Sequence, residues 1–192
     1  MGHILYSSAK SKKLISRSSV APSVLGKKSG VILVKIRQAE IKDTKDILAL
    51  IKGKAEFDGC LDSLLATEQS IAEAFFSSSP KSRALVAEID SRLVGIATYY
   101  NIYSTFKAKP GIWLDDLFIF PPYRKIGIGK ALIKELCIVA KTNDCCRIDW
   151  VVARDNENGR AFYESMGAKI SEEVRHARLD NIAINSLLNK TA

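Results

Sequence analysis

Apolar residues recur along this chain in blocks whose spacing predicts most of its elements. Residues 31–37 (VILVKIR) read as a strand, and a polar turn over 38–43 follows. Asp43 or Thr44 can cap a helix on which Ile47, Leu48, Leu50 and Ile51 share a face, with Gly53 weakening its end. A loop through Asp58-Gly59 leads to a second helix, capped by Thr67 and ending near Phe76, with Ile71, Ala74 and Phe75 inward. Ser77-Ser78-Ser79-Pro80 stops it. The apolar runs 84–89 and 93–103, separated by Asp90-Ser91-Arg92, predict a hairpin with a short turn. Residues 112–120 read as a further strand. Residues 129–142 read as a helix with the apolar stripe Leu132, Ile133, Leu136, Val139 and Ala140. A buried strand is expected over 147–153, then a helix over 156–166 ended by Gly167 at its C′ position, a last strand from 169 to about 179, and a short helical tail. The order β-α-α-β-β-β-α-β-α-β describes an α/β fold, a mixed sheet with helices on both faces and no repeats.

Length and charge refine this picture. The 192 residues suit one domain over 31–192 and an extension over 1–30. The net charge of +8 comes from 29 Lys/Arg against 21 Asp/Glu, and six of those cations fall in residues 1–30, which hold no acid. The body is therefore nearly neutral, which argues against a nucleic-acid surface. The basic, Ser-rich extension reads either as a transit peptide or as a disordered tail. A cytoplasmic protein is expected, or one of an organelle matrix or stroma if the extension targets it. No apolar run approaches the ~18 residues of a membrane span. Cys60, Cys137, Cys145 and Cys146 have no metal-ligand spacing, so no metal site is expected. Their neighbours predict buried free thiols, at home in a reducing compartment.

The candidate chemistry starts where the strand at 112–120 breaks at Pro121-Pro122 and enters a helix near Ile128. The first amides of a helix lack intrahelical partners and carry the positive end of the macrodipole, so this turn can hold a phosphate. Gly127 and Gly129 let backbone approach a ligand, and Arg124, Lys125 and Lys130 add cations. A strand-to-helix turn that merely needs glycines is the other reading. The turn is neither a dinucleotide fingerprint nor a Walker loop, whose glycine spacings differ. The stretch resembles the acyl-CoA-binding motif Arg/Gln-x-x-Gly-x-Gly/Ala of the GNAT N-acetyltransferases, with Arg124, Gly127 and Gly129 in the motif positions.

A second stretch, running from Val151 through Asn156 and Ala161-Phe162-Tyr163 to Gly167-Ala168, resembles the later segment of the same family. Within it the chain is most similar to the diamine (spermidine/spermine-type) acetyltransferases, over residues 33–179, through Leu50-Ile51-Lys52, Ala97-Thr98-Tyr99-Tyr100, Leu114-Asp115-Asp116-Leu117 and Tyr123-Arg124. The resemblance implies the GNAT acyl-CoA N-acyltransferase fold, acetyl-CoA as co-substrate, a small primary amine as acceptor, direct attack in a ternary complex, and a homodimer. It implies that acetyl-CoA lies along Leu117, Phe118 and Ile119 and the loop of Arg124, Lys125, Ile126, Gly127, Ile128, Gly129 and Lys130, with Asn156 on the pantetheine arm. Tyr163 is either a packed core residue or the acid that protonates the CoA thiolate; the family match favours the acid. Asp115 and Asp116 alternate to opposite faces of one strand, and one of them can be an ordinary edge acid. By resemblance Asp115 relays the amine's proton through water, and Asp116 and Asp58 bind the acceptor, with Glu173 a further acid in the variable segment.

The chain departs from the polyamine pattern at Ser104, where the family often has an acid, and at Glu172-Glu173-Val174-Arg175, where an aromatic is replaced and an Arg appears. Lys125 stands where the family usually has Gly. These changes leave room for a short diamine or a basic amino acid whose carboxylate an Arg holds. The alternatives are a protein or peptide amine as acceptor, and a catalytically silent acyl-CoA-binding module.

Overall fold

A computed structural model of the protein describes residues 2–8, 11–17 and 31–189, and the described residues form two units that part between Trp150 and Val151. The first unit is organised on a sheet of β1 (Gly2–Ser8), β2 (Ser11–Arg17), β3 (Val31–Gln38), β4 (Arg83–Ile89), β5 (Arg92–Ser104), β6 (Lys109–Ile119) and β7 (Ile148–Asp149). Their spatial order is β2-β1-β3-β4-β5-β6-β7. β3 to β6 pair antiparallel in succession, β1 lies parallel to β3, and β7 lies parallel to β6. The hairpin of β1 and β2 falls within the extension that the sequence offered no periodic face for; residues 1, 9–10 and 18–30 of it lie outside the described residues.

β4 and β5 are nearly continuous runs of buried residues because helices cover both faces. On one face α1 (Thr44–Phe57) and α2 (Glu68–Phe76) bury Ile47, Leu50 and Ile71 against Val86, Ile96 and Phe118. On the other, α3 (Ile128–Thr142) buries Ile128, Leu132 and Leu136, each 1 % exposed or less. Each such side chain contributes about 1.5–3 kcal/mol of transfer free energy. Thr67 caps α2 by accepting the Ser70 amide at 3.1 Å. The β4–β5 turn is Asp90-Ser91, both left-handed at φ 47 and 62°, the geometry of a two-residue hairpin turn.

The structure refines two local expectations. Asp43 caps no helix amide with its side chain. It takes a bidentate bond from Arg37, Nη1 to Oδ2 at 2.6 Å and Nη2 to Oδ1 at 2.9 Å, while Arg37 Nε reaches Glu88 at 2.7 Å. Burial opposes the Asp43 charge, but Arg37 and the Glu40 amide outweigh it and hold the carboxyl below its ordinary value. Gly53 lies inside α1, which runs on to Phe57, and its role is in packing: a Cβ there would meet the Phe118 ring at 2.9 Å, so the glycine lets α1 lie close on β6.

The cysteine expectation is overturned: Cys60, Cys137 and Cys146 are exposed and Cys145 is half-buried. Cys137 follows Leu136 on α3 and so sits about 100° around the helix from the buried stripe. Cys145 and Cys146 precede β7 in the turn after α3.

The second unit contains α4 (Glu157–Glu164) and α5 (Asn181–Asn189). α4 ends in a left-handed Gly167, φ 88°, whose amide bonds the Glu164 carbonyl at 2.9 Å while the Ala168 amide bonds that of Tyr163 at 3.2 Å. The expected strand from 169 to about 179 does not form. Its apolar residues Ile170, Val174 and Leu179 do not alternate, so no face exists to bury.

Candidate active site

The turn between β6 and α3 is built by left-handed backbone. Gly127 caps α3 at φ 91°, and Lys125 adopts φ 60°, where L side chains are uncommon. The Ala131 amide closes the first turn on the Gly127 carbonyl at 3.0 Å, so the preceding amides point out of the helix end. Lys125 and Lys130 are exposed around that end, and Ile128 is 1 % exposed, so only its main chain can meet a ligand.

Arg124 does something the motif alone does not suggest. Its Nε donates to the Ile119 carbonyl at 2.8 Å, and its guanidinium lies 4.7 Å from the Phe57 ring centroid and 5.4 Å from that of Phe118. The side chain clamps the turn onto β6 and α1, so the groups that face out of the helix end are the main-chain amides and the exposed lysines beside it.

β6 leads into this turn through a bulge. Thr98 pairs with Asp116 and Tyr99 with Leu114, which leaves Asp115 as the extra residue. The β6–β7 ladder pairs Ile112 with Ile148 and Trp113 with Asp149, and it stops where β6 reaches the bulge. Beyond it Leu117, Phe118 and Ile119 have ladder partners only on β5 among the described residues. Leu117 and Ile119 are half-buried, and Phe118 belongs to the core under α1.

The bulge also changes how the two acids sit. Cross-strand partners share a face. Tyr99 and Leu114 lie toward α3, whereas Thr98 and Asp116 lie toward α1, where the Asp116 carboxylate is 3.8 Å from Lys54. Simple alternation no longer separates Asp115 from Asp116 once one residue is inserted. Burial first, and then the charge of Asp115, push the Asp116 carboxyl above the ordinary carboxylate range. Burial and the same Asp115 charge raise the Tyr100 phenol, whose ring stacks on Trp113. Asp115 itself is exposed.

Asp58 joins this group one turn after Lys54, which forms an ion pair with it. The Asp116 backbone amide donates to Thr98 Oγ1 at 3.0 Å, and the hydroxyl in turn reaches the carboxylate at 3.3 Å. The structure thus brings three of the expected acids together and adds Lys54 and Thr98, which sequence reasoning missed. The four-residue spacing of Lys54 and Asp58 on one helix face was a legible signal. Ser104, by contrast, is buried and takes a bond from Arg147 at 3.0 Å.

Asn156, Tyr163 and Glu173 lie in the second unit. Asn156 Oδ1 caps α4 by accepting the Gly159 amide at 2.9 Å, leaving its amide nitrogen as the group available to a ligand. A Cβ on Gly159 would sit 2.6 Å from that nitrogen. Burial raises the Tyr163 phenol above its ordinary value, which keeps it protonated. Glu173 is exposed in the irregular stretch, beside the Glu172 that pairs with Arg160 at 2.7 Å.

Comparison with known proteins agrees with this architecture. The acetyltransferase (GNAT) family profile matches residues 48–168. A thialysine N-epsilon-acetyltransferase of Sus scrofa is 33 % identical over 168 residues, 82 % of this chain and 98 % of the relative. An L-ornithine N5-acetyltransferase of Arabidopsis thaliana is 34 % identical over 98 residues, 51 % of this chain and 43 % of the relative. The solved structure of an integron cassette protein from V. cholerae superposes with a TM-score of 0.67 at 27 % identity, covering 81 % of this chain and 97 % of its own. The match spans both glycine-bearing turns and the bulged strand β6 that leads into α3, and the chain belongs to the GNAT family as an acyl-CoA-dependent N-acetyltransferase.

Proposed function

We propose that the protein transfers the acetyl group of acetyl-CoA to a primary amine of a small polyamine, diamine or basic amino acid. The observation that carries this reading is the acidic group of Asp58, Asp115 and Asp116 gathered at the β6 bulge, on the strand that feeds the anion-binding turn. A small cationic acceptor fits such a group. Relatives named for thialysine and ornithine acetylation support the same acceptor class.

In this reading the outward amides of residues 127–130, with Lys125 and Lys130, hold the pyrophosphate, and the one-sided edge of Leu117, Phe118 and Ile119 offers main-chain groups to the pantetheine arm. The Asn156 amide nitrogen is a further donor to that arm. Acetyl-CoA supplies the activated acetyl thioester. The acceptor enters as an ammonium with pKa ~10 and must lose a proton before it can attack. Asp115, exposed at the bulge, takes that proton through water, while Asp116 and Asp58 hold the cationic acceptor, with Glu173 a further acid for it. The amine then attacks the thioester carbonyl directly, the C–S bond breaks, and Tyr163 gives its proton to the CoA thiolate. A homodimer with acceptor sites near its interface belongs to the same reading.

Thiol release from acetyl-CoA, measured against a panel of diamines, polyamines and basic amino acids, tests the proposal. Turnover with at least one of them, at kcat/KM above ~10⁴ M⁻¹s⁻¹, is expected. Turnover confined to a lysine-bearing peptide would replace this acceptor class.

A further inference from the structure

The acidic group is not uniformly negative. Lys54 Nζ is ion-paired with Asp58 and lies 3.8 Å from Asp116 Oδ1, so the wall formed by α1 and β6 reads negative, positive, negative. The Lys54 side chain is only 22 % exposed and its pairing residue is one turn away on the same helix, so this ammonium is held in place before any acceptor arrives. A tri- or tetra-amine needs carboxylates for its non-reacting ammonium groups. Here a fixed ammonium already uses two of them and repels a third cation. An α-amino acid head carries both signs on adjacent atoms. Its ammonium can replace part of the Lys54 contact with Asp116 or Asp58, and its carboxylate can take a hydrogen bond from the three donors of Lys54 Nζ. Arg175, the cation that the sequence offered for that carboxylate, is exposed in the irregular stretch of the second unit.

We propose that Lys54 is the anchor for the acceptor's α-carboxylate, and that it sets a preference for basic amino acids over the diamines of the same length. The proposal rests on the small-amine reading above and narrows it. Lys54 touches the acceptor head and not the reacting nitrogen, so it acts on specificity.

Ornithine and 1,4-diaminobutane isolate the effect, because they differ only by the carboxylate. The wild-type protein is expected to show at least tenfold higher kcat/KM for ornithine. Lys54→Met keeps the stem that covers α1 and removes the charge; the ornithine-to-diamine ratio should fall at least tenfold, mainly through the ornithine KM, with 1,4-diaminobutane or spermidine gaining. Lys54→Arg keeps a cation and should retain most of the preference. An unchanged ratio in Lys54→Met, or an equal loss in Lys54→Arg, overturns the role of the Lys54 charge while leaving the small-amine reading intact. No turnover of any of the three amines by the wild type, with acetyl-CoA consumed on a peptide amine, overturns both.

Discussion

Tyr163 and Asp116 are two ionisable groups on which burial makes the same demand, favouring the protonated, neutral form of each. Burial keeps the Tyr163 phenol protonated. Tyr163→Phe preserves the ring and removes the O–H, so kcat is expected to fall ~10²–10⁴-fold with little change in acetyl-CoA affinity and with loss of the alkaline limb of the kcat profile. A kcat within threefold of the parent, with chemistry rate-limiting, would remove Tyr163 from the mechanism. Asp116 has its folded-state pKa raised by burial and by Asp115, so the folded state favours its neutral form. That contribution is complete below the unfolded value and disappears as pH rises through the folded one. Asp116→Asn should therefore raise the thermal midpoint at pH 7, with the gain shrinking as pH falls toward 4, while acceptor KM rises. Equal midpoints at both pH values would show that the charge carries no such cost. The sequence made both residues visible through their family positions. It could not show that Lys54 answers Asp116, because that pairing depends on how closely Gly53 lets α1 approach β6.

At the scale of elements, helices were the most legible feature, since α1, α2 and α3 each carry an apolar stripe at helical spacing and α4 ends where Gly167 can turn left-handed. Strands were legible where two helical layers demanded continuous apolar runs, as in β4 and β5. The expected strand over 147–153 shrinks to Ile148–Asp149 because its ladder with β6 ends at a bulge that no periodicity announces. The turn between β6 and α3 holds a second surprise, a lysine at φ 60° where the family usually has glycine. Lys125→Gly should stabilise the fold by about 1 kcal/mol, read from denaturant unfolding, while raising the acetyl-CoA KM through the lost cation. Gly127→Asp combines backbone strain with a negative charge at the helix end and should raise that KM more than tenfold. Gly127→Ala separates the two, since it shares the strain alone. Near-native KM in Gly127→Asp would mean the turn is only structural.

Across the whole molecule, the bidentate Arg37–Asp43 pair joins β3 to the start of α1, and Glu88 extends it to β4. Asp43 has a lowered folded-state pKa, so its contribution is present above the unfolded value and is lost as pH falls below it. Asp43→Asn should cost about 2 kcal/mol at pH 7 by removing the bidentate charged pair and leaving buried Arg37 with Glu88 alone, and should flatten the acid limb of stability. Deleting residues 1–30 removes the β1–β2 hairpin and exposes the β3 edge. Acetyl transfer is expected to persist in the shortened chain, and light scattering should detect more self-association. Loss of turnover would show that the hairpin supports the site itself.

The clamp made by Arg124 has a consequence for how the two substrates communicate. Phe57, under its guanidinium, is the residue before Asp58, and the Ile119 carbonyl it grips lies on the strand that the acyl donor is expected to follow. In the proposed reading, ordering either ligand's contacts is expected to lower the ordering cost of the other, a positive linkage equal in both directions. Arg124→Leu should weaken each substrate's effect on the other's dissociation constant by the same factor, measured by titrating each in the absence and presence of its partner.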